Sequence, residues 1–400
     1  MKRLRTLLVA ILLLGALSLA QAQSLQDRVA AANDTATSHT YPNNTCSELH
    51  DTGFYWEIGN VGGMYSGAAG TVPGDGVAGP GRDTPMKIAS GSKWVYAAYV
   101  AQRWGAGALT ARDWQFLTMS SGYHSLETDT KSACSGRSDA FTVDDCLSLI
   151  ADDGTHNDYN SNDSGEFYYN GGHFEAQSGS LNLFTPITIF HGNRLGDDDD
   201  DELATELNQY LAPDANPANQ WITFDWPVLA EGIDTKPGQY IDDFLRRILS
   251  HELQEYSLLG QNAVCTNTNK NAQGQPICPS ALFEPPGLCA SGESWHYSAG
   301  HWIEDDTSSV PVIPDDGAYS SPGARGFDPW IWRPGPPWGT NVFGWSDPMY
   351  GVVARFATAD YPSTPQPQCQ PARTEAETVS WASIMCGRAI RRAFLTGVTQ

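Results

Sequence analysis

Residues 86–94 read Met86-Lys87-Ile88-Ala89-Ser90-Gly91-Ser92-Lys93-Trp94 and hold the only Ser-x-x-Lys sequence of the chain. In a helix, side chains at i and i+3 share a face, so the Lys93 amine can reach the Ser90 hydroxyl. A serine in the first turn also lies in the positive field of the helix N-terminus, which favours a developing alkoxide. The pattern therefore predicts a serine nucleophile, Ser90, that is activated by a lysine base, Lys93.

The simpler interpretation of this stretch is an N-cap serine followed by a lysine in solvent. The apolar neighbours Ile88, Trp94 and Val95 favour the catalytic interpretation instead, because they place the lysine in a core. Burial and the field of the helix N-terminus both lower the pKa of a lysine. A neutral amine can then accept the hydroxyl proton.

The composition is that of a folded, acidic protein. Of the 400 residues, 40% are hydrophobic and 17% are charged, which is too rich in core-forming side chains for a disordered chain. The formal net charge is −23. Because phosphate backbones are bound by clustered cations, this charge argues against nucleic acid as a partner.

The first 22 residues have the pattern of a signal peptide. Three cations within residues 2–5 precede an apolar run over 7–19, and Ala20-Gln21-Ala22 fits the cleavage site. No later apolar run reaches the ~18 residues that a membrane span needs, and no cysteine stands at the cleavage site to carry a lipid. We therefore expect an exported protein, periplasmic or secreted, without a membrane anchor.

All eight cysteines follow this segment, and an even number in an exported protein predicts disulfides. No Cys-x-x-Cys pair is present to begin a zinc site. The sequence does not determine the connectivity. Pairing of neighbours along the chain gives Cys134–Cys146, Cys265–Cys278 and Cys369–Cys386, which leaves Cys46 for Cys289.

The order of the predicted elements places strands at both ends of the chain. Residues 51–66 predict an early strand and turn, and 350–356 predict a late β-branched strand. Helices are predicted over 90–103, 239–259 and 380–395. We therefore expect an α/β domain built from residues 23–115 and 310–400, with a mainly helical, loop-rich domain inserted at 116–309.

Further segments follow the Ser-x-x-Lys motif in a defined order. Residues 114–123 read WQFLTMSSGY, and residues 167–174 read FYYNGGHF. Towards the C-terminus, residues 296–302 read HYSAGHW and residues 320–327 read SSPGARGF, before the strand YGVVARF. Together with residues 86–94, these segments resemble the serine β-lactamase and penicillin-binding-protein superfamily, especially its class C and esterase-like branch. The resemblance extends from about residue 50 to residue 395.

The resemblance implies an α+β fold of the β-lactamase/DD-peptidase type, in which helices and a mainly helical inserted domain flank an antiparallel sheet. It also implies roles for the site residues. Ser90 would form the acyl-enzyme, Lys93 would be its base, and Tyr168 would relay a proton to the leaving group. Asn170 would orient the substrate and Lys93. The backbone N–H groups of Ser90 and Ala324 would form the oxyanion hole.

The choice of tyrosine stays open between three residues. Tyr168 is preferred, because it alone keeps the Tyr-x-Asn spacing of the family, with Asn170. Choosing Tyr169 would place Gly171 where the asparagine belongs. Tyr297 begins a Tyr-Ser-Ala sequence, in which the asparagine is replaced.

The sequence departs from the family where the Lys-Thr-Gly motif belongs. Ser321-Pro322-Gly323 stands there, so the cation that grips the carboxylate of penicillins and D-Ala-D-Ala peptides is missing. Ser321 and Gly323 are still expected to border the substrate, and Arg325 lies nearby in the sequence. The loss favours a carboxylesterase-like activity on a small-molecule or oligomeric ester, ahead of a nylon-oligomer-type amidase, a D-amino-acid peptidase or a β-lactamase. A domain that binds its ligand without catalysis is the alternative of another class.

No cofactor and no metal are expected. A nucleophile, a base and an oxyanion hole suffice for acyl transfer. The segment His251-Glu252-Leu253-Gln254-Glu255 begins like a zinc-protease motif, but Glu255 stands in place of the second histidine ligand.

Overall fold

The computed structural model describes residues 23–38, 45–123, 127–128, 131–132, 143, 158–178, 202–214, 220–224, 228–271, 273–285, 288, 291–306, 316–335, 345–355 and 375–400. The predicted signal peptide and the predicted Cys134–Cys146 pair lie outside these residues, so both stay predictions. None of the helices within the described ranges has the length and apolar character that crossing a bilayer requires.

The strands of the described residues are short, apart from those near the two chain ends. In chain order they are β1 (Phe54–Asn60), β2 (Gly63–Val72), β3 (Met86–Lys87), β4 (Glu127–Thr128), β5 (Lys131–Ser132), β6 (Phe167–Tyr168), β7 (Thr223–Phe224), β8 (Ile233–Thr235), β9 (Val264–Cys265), β10 (Ala281–Phe283), β11 (His296–Tyr297), β12 (Trp302–Glu304), β13 (Ala318–Ser320), β14 (Phe327–Trp332) and β15 (Met349–Arg355).

Eight of these strands form one sheet, in the order β2-β1-β15-β14-β13-β12-β11-β9. All of its strand pairs are antiparallel, which confirms the predicted sheet type. Strands β1 and β15, the first and last within the described ranges, pair directly, with Phe54 opposite Arg355. Strands β9, β11 and β12 come from within residues 116–309, so the chain ends alone do not build the sheet. The domain boundaries themselves stay a prediction.

Seven helices are described, together with 3-10 turns at Thr45–Leu49, Ala106–Ala108 and Gln254–Ser257. They are α1 (Leu25–Thr37), α2 (Gly91–Trp104), α3 (Ala111–Leu117), α4 (Gly172–Ser178), α5 (Glu202–Leu211), α6 (successive segments Pro237–Gln239, Tyr240–Leu245 and Arg246–Leu249) and α7 (Glu375–Thr396). Helices α1 and α3 begin with capping boxes, Ser24 with Asp27 and Thr110 with Asp113.

The sheet separates two hydrophobic cores, because alternate residues of a strand point to opposite faces. Val352 and Ala354 of β15 pack into the core that contains α2, whereas Val353 packs into the core that contains α1; helix α7 contributes side chains to both cores. Helix α2 is buried from Gly91 to Ala101. The Ser-x-x-Lys segment is therefore held in the middle of the larger core.

The helix predicted over 239–259 is wrong in its second half. Helix α6 ends at Leu249, and His251 has a φ of +63°. A non-glycine residue in this left-handed region ends a helix, and the chain continues into the 3-10 turn at Gln254–Ser257. The apolar residues Leu253, Leu258 and Leu259 beyond this point are buried, but a turn rather than a helix places them there.

The disulfide prediction is correct for one pair and wrong for two others. Cys265 bonds Cys278, as proximity in the sequence predicts. Cys46 bonds Cys386 across 340 residues, which overturns both the Cys369–Cys386 and the Cys46–Cys289 assignments. The reason is tertiary: the 3-10 turn that carries Cys46 packs against α7. Sequence spacing holds no information about that contact.

Candidate active site

The chain enters the candidate site from β3, which pairs with β8. The Ile88 N–H donates to the Ile233 carbonyl at 3.0 Å, and the next residue, Ala89, has a φ of +45°. A non-glycine residue in this region is strained and persists only where its surroundings hold it. This bend turns the chain from strand into helix and places Ser90 at the N-cap of α2.

The Ser90 hydroxyl does not cap the helix. Its Oγ lies 3.0 Å from Lys93 Nζ, with the amine as donor. Ser90 is partly exposed, whereas Lys93 is only 1% exposed. The interpretation as a capping serine with a solvated lysine is therefore wrong, and the structure brings the Ser90 and Lys93 side chains together as the i, i+3 spacing predicts.

Two further groups from distant parts of the chain contact the Lys93 amine. Nζ donates to the Ala230 carbonyl at 3.1 Å and lies 4.9 Å from the ring centre of Tyr169. Ala230 belongs to the loop before β8, and β8 also accepts the hydrogen bond from the Ile88 N–H. Sequence reasoning missed Ala230, because a backbone carbonyl leaves no signature in residue type.

The Ser-Pro-Gly segment that replaces Lys-Thr-Gly lies directly beside Ser90. The Ser321 hydroxyl lies within donating distance of the Ser90 carbonyl (3.0 Å) and of the Gly300 carbonyl (3.2 Å). A Cβ at Gly323 would stand 2.1 Å from the Ile88 carbonyl oxygen, so only glycine allows this approach. The predicted neighbourhood of Ser321 and Gly323 to the nucleophile is thus present in the structure.

Two backbone donors are available where the oxyanion hole is expected. Among hydrogen bonds between described residues, neither the Ser90 N–H nor the Ala324 N–H is used. Ala324 is partly exposed and follows Gly323, which packs on the residues just before Ser90. N–H groups left open at a helix N-terminus and an adjacent turn are suited to stabilise a negative oxygen.

The adjacent tyrosines Tyr168 and Tyr169 have different neighbours. The Tyr168 ring stacks on Phe283, its partner residue across β6 and β10, at 5.0 Å between ring centres. The Tyr169 ring lies over the Lys93 amine and packs on Trp302. Tyr297, the third candidate, is fully buried and contacts the Tyr169 ring edge to face. The Tyr169 ring therefore lies beside the Lys93 amine, whereas the motif spacing favours Tyr168.

Asn170 and His173 hold the turn that carries these tyrosines. The Asn170 side-chain oxygen accepts from the Gly172 N–H at 2.7 Å, at the start of α4. His173 is fully buried, and its ring lies 2.7 Å from Ser121 Oγ and 2.9 Å from the Tyr168 carbonyl. The segments WQFLTMSSGY and FYYNGGHF, which are separate motifs in the sequence, therefore contact each other through the Ser121 hydroxyl and the His173 ring.

Behind α2 lies a buried carboxyl group, that of Glu255. Its Oε1 accepts from the Trp94 indole at 2.9 Å and lies 3.5 Å from His301 Nδ1. Burial raises the pKa of Glu255 well above its usual value and lowers the pKa of His301 to about 3. We therefore treat this contact as one between neutral groups rather than an ion pair.

Within the described ranges, no group of three or more His, Cys, Asp or Glu side chains is arranged to hold a metal ion. The expectation of a reaction without metal or cofactor stays a prediction.

No protein-family model and no curated protein sequence matches the chain. Comparison with solved structures finds a D-amino acid amidase from Ochrobactrum anthropi SV3, with a TM-score of 0.49 and 10% identity over 90% of this chain and 98% of that one. It also finds a beta-lactamase/D-alanine carboxypeptidase from Yersinia pestis, with a TM-score of 0.45 and 12% identity over 90% and 99% of the two chains. A penicillin binding protein from Bacillus halodurans gives a TM-score of 0.42 and 14% identity over 81% and 97%.

Proposed function

We propose that this protein is a serine hydrolase that cleaves an ester through an acyl-enzyme at Ser90. The observation that carries the proposal is the 3.0 Å contact between Ser90 Oγ and the Nζ of a lysine that is 1% exposed. A structural serine at this position would cap the helix, and a structural lysine would reach solvent. Neither does so, and the motif order of the sequence points to the same chemistry.

In the proposed acylation step, Lys93 accepts the Ser90 proton as Oγ attacks the substrate carbonyl carbon. The lysine must be neutral to do this. The carbonyl oxygen becomes an oxyanion, which the N–H groups of Ser90 and Ala324 stabilise. Collapse of this intermediate breaks the ester bond, returns a proton to the leaving alkoxide and leaves the acyl group on Ser90. Water then attacks the acyl-enzyme, with the proton transfers reversed.

We assign the proton relay to Tyr169, whereas the motif spacing alone favours Tyr168. The assignment rests on the position of the Tyr169 ring, 4.9 Å from Lys93 Nζ, and on the stacking of Tyr168 against Phe283. Asn170 then acts through the turn into α4 that it caps.

The preference for an ester follows from Ser321. This residue stands where the family has a lysine and carries no charge, so it offers no cation to a substrate carboxylate; it is 2% exposed, and its hydroxyl faces two backbone carbonyls. Penicillins and peptides with a free C-terminus carry such a carboxylate. An uncharged ester does not require this contact. We therefore place an esterase first and an amidase second.

The test compares the wild-type protein and Ser90→Ala on a p-nitrophenyl ester and on the p-nitroanilide of the same acyl group. We expect the ester to be cleaved faster than the anilide by the wild type, and both activities to be lost in Ser90→Ala. Cleavage of the anilide alone would replace the esterase by an amidase. Equal activity in both proteins, or none in either, would contradict Ser90 as a nucleophile and favour a binding domain without catalysis.

A further inference from the structure

The Ser321 hydroxyl occupies the place of the family's lysine, yet its hydrogen bonds run to the protein itself. It lies 3.0 Å from the Ser90 carbonyl and 3.2 Å from the Gly300 carbonyl, and only 2% of the residue is exposed. A serine hydroxyl has one proton to donate, and both carbonyls compete for it. The side chain therefore belongs to the frame around the nucleophile.

The Ser90 carbonyl has a second donor, the Lys93 backbone N–H at 3.1 Å. This i to i+3 bond closes the first turn of α2, the turn that brings the Lys93 amine to Ser90 Oγ. The Ser90 carbonyl oxygen therefore accepts from both the Lys93 N–H and the Ser321 hydroxyl, and Ser321 connects the adjacent strand end to the first turn of α2. Loss of this bond loosens the turn in which the reacting distance is set.

Gly300 fixes the other end of the connection. A Cβ at this residue would lie 2.3 Å from the Lys93 carbonyl oxygen, and the Gly300 N–H donates to the Leu117 carbonyl at 3.1 Å. Its φ of +70° is also one that favours glycine. The Gly300 turn therefore packs directly on the backbone of the base.

We propose that Ser321 is a positioning residue, which holds the first turn of α2 between the Gly300 turn and the Ser-Pro-Gly strand end so that Lys93 meets Ser90. This inference rests on the proposed function of Ser90 and Lys93. It assigns Ser321 to alignment of the reacting groups in place of substrate binding, so its removal slows acylation without weakening the binding of substrate.

The test is the variant Ser321→Ala. Its kcat and KM are measured on the p-nitrophenyl ester. The maximal rate constant of inactivation by a fluorophosphonate, and the inhibitor concentration that gives half of that rate, are measured in parallel. Misplacement of a catalytic group by about 1 Å can cost about 100-fold, so we expect kcat and the inactivation rate to fall about 10- to 100-fold. KM and the affinity for the inhibitor should stay within about twofold, since no contact to substrate is lost.

Ser298→Ala is the matched control. Ser298 is a fully buried serine whose hydroxyl contacts the Leu258 carbonyl at 3.4 Å and the Gln261 carbonyl at 2.5 Å, away from Ser90. We expect this variant to lose stability but to keep kcat. An unchanged kcat in Ser321→Ala, a raised KM alone, or an equal loss of kcat in Ser298→Ala would overturn the proposal.

Two further measurements keep the outcomes separate. If Ser321→Ala does not fold, Ser321→Cys replaces it, because the thiol keeps the size and a weak donor. The proposal then expects a smaller fall in kcat at unchanged KM, and wild-type kcat would overturn it. Failure of the proposed function would give a different result. Either Ser90→Ala would keep the activity of the wild type, or the wild type itself would not cleave the ester.

Discussion

Two of the buried cation sites in the described part of the chain differ in what the cations contact. At the candidate site, the Lys93 amine donates to the Ser90 hydroxyl and the Ala230 carbonyl. Across the sheet, beneath α7, arginines donate to carboxylates. We call this second group the arginine cluster and define it as Arg388, Arg391, Glu293, Glu304, Asp316 and Asp328.

The arginine cluster has the features of a structural network. Arg388 Nη2 lies 2.9 Å from Glu293 Oε2, and Arg391 Nε lies 2.7 Å from Asp316 Oδ2, with all four side chains at most 2% exposed. Arginine does not lose its proton in proteins, so these pairs have no acid–base chemistry to offer. They hold α7 against the sheet at the cost of desolvating the charges.

A lysine beside a hydroxyl can exchange a proton with it, and an arginine beside a carboxylate cannot. Burial of a cation therefore does not by itself indicate a catalytic function. The chemistry of the partner decides. Removing Lys93 should affect catalysis, whereas removing an arginine of the cluster should affect folding.

The largest effect is expected for Lys93→Met. General-base catalysis contributes about 10²- to 10⁴-fold, so kcat/KM for the p-nitrophenyl ester should fall by about 10³-fold. The methionine fills a similar volume, and the midpoint of urea unfolding should stay near that of the wild type. A lowered urea midpoint with an unchanged kcat/KM of the folded fraction would contradict this difference, since Lys93 would then be a structural cation.

Arg391→Met should have the opposite pattern. Removing one partner of a buried pair leaves carboxylates uncompensated and costs about 3–5 kcal/mol in the free energy of unfolding. Glu304 and Asp316 are the groups left behind. Urea denaturation measures this loss, and kcat of the protein that remains folded should match the wild type. A variant of normal stability with reduced kcat would contradict a purely structural cluster.

The paired variants Tyr169→Phe and Tyr168→Phe sharpen the description of the site. Loss of a proton relay costs about 10²-fold or more, so Tyr169→Phe should reduce kcat by that factor. Tyr168→Phe keeps the ring that stacks on Phe283 and should stay within a few-fold of the wild type. The reverse order of activities in the ester assay would return the role to Tyr168, as the motif spacing predicts.

The smallest effect concerns the arginine cluster and pH. Burial, and then the negative charge of Glu304, raise the pKa of Asp328 well above its usual value. The folded state therefore binds a proton that the unfolded state releases, and the stabilisation present below the usual aspartate pKa is lost as the pH rises. Asp328→Asn removes this dependence. Its stability relative to the wild type should rise as the pH is raised above the usual aspartate pKa, by at most about 1.4 kcal/mol for each pH unit. Parallel stability curves would contradict the raised pKa.

The sequence predicted the local parts of this architecture well. The helix over 90–103 is observed as Gly91–Trp104, and the strand over 350–356 as Met349–Arg355. Both follow from hydrophobic spacing within one element. The contact of Ser90 with Lys93 is equally local, since it spans less than one helical turn.

The parts that depend on distant contacts could not be predicted. Cys46 reaches Cys386 because a turn packs on α7, and Ala230 reaches Lys93 because β8 pairs with β3. Neither contact has a signature in residue type or spacing. The choice between Tyr168 and Tyr169 is likewise not settled by sequence, because a motif count cannot tell which of two adjacent side chains faces the amine.

The most direct test of the account is to locate the adduct that a fluorophosphonate forms with the oxidised protein. Attack by Oγ on phosphorus expels fluoride and leaves a phosphonyl ester of defined mass. Trypsin cleavage after Lys87 and Lys93 gives one short peptide that contains Ser90 and Ser92. We predict that fragmentation places the adduct on Ser90, that Ser92→Ala keeps it, and that Ser90→Ala and Lys93→Met lose it. Labelling of another residue, or the same extent of labelling in Ser90→Ala, would contradict the central claim.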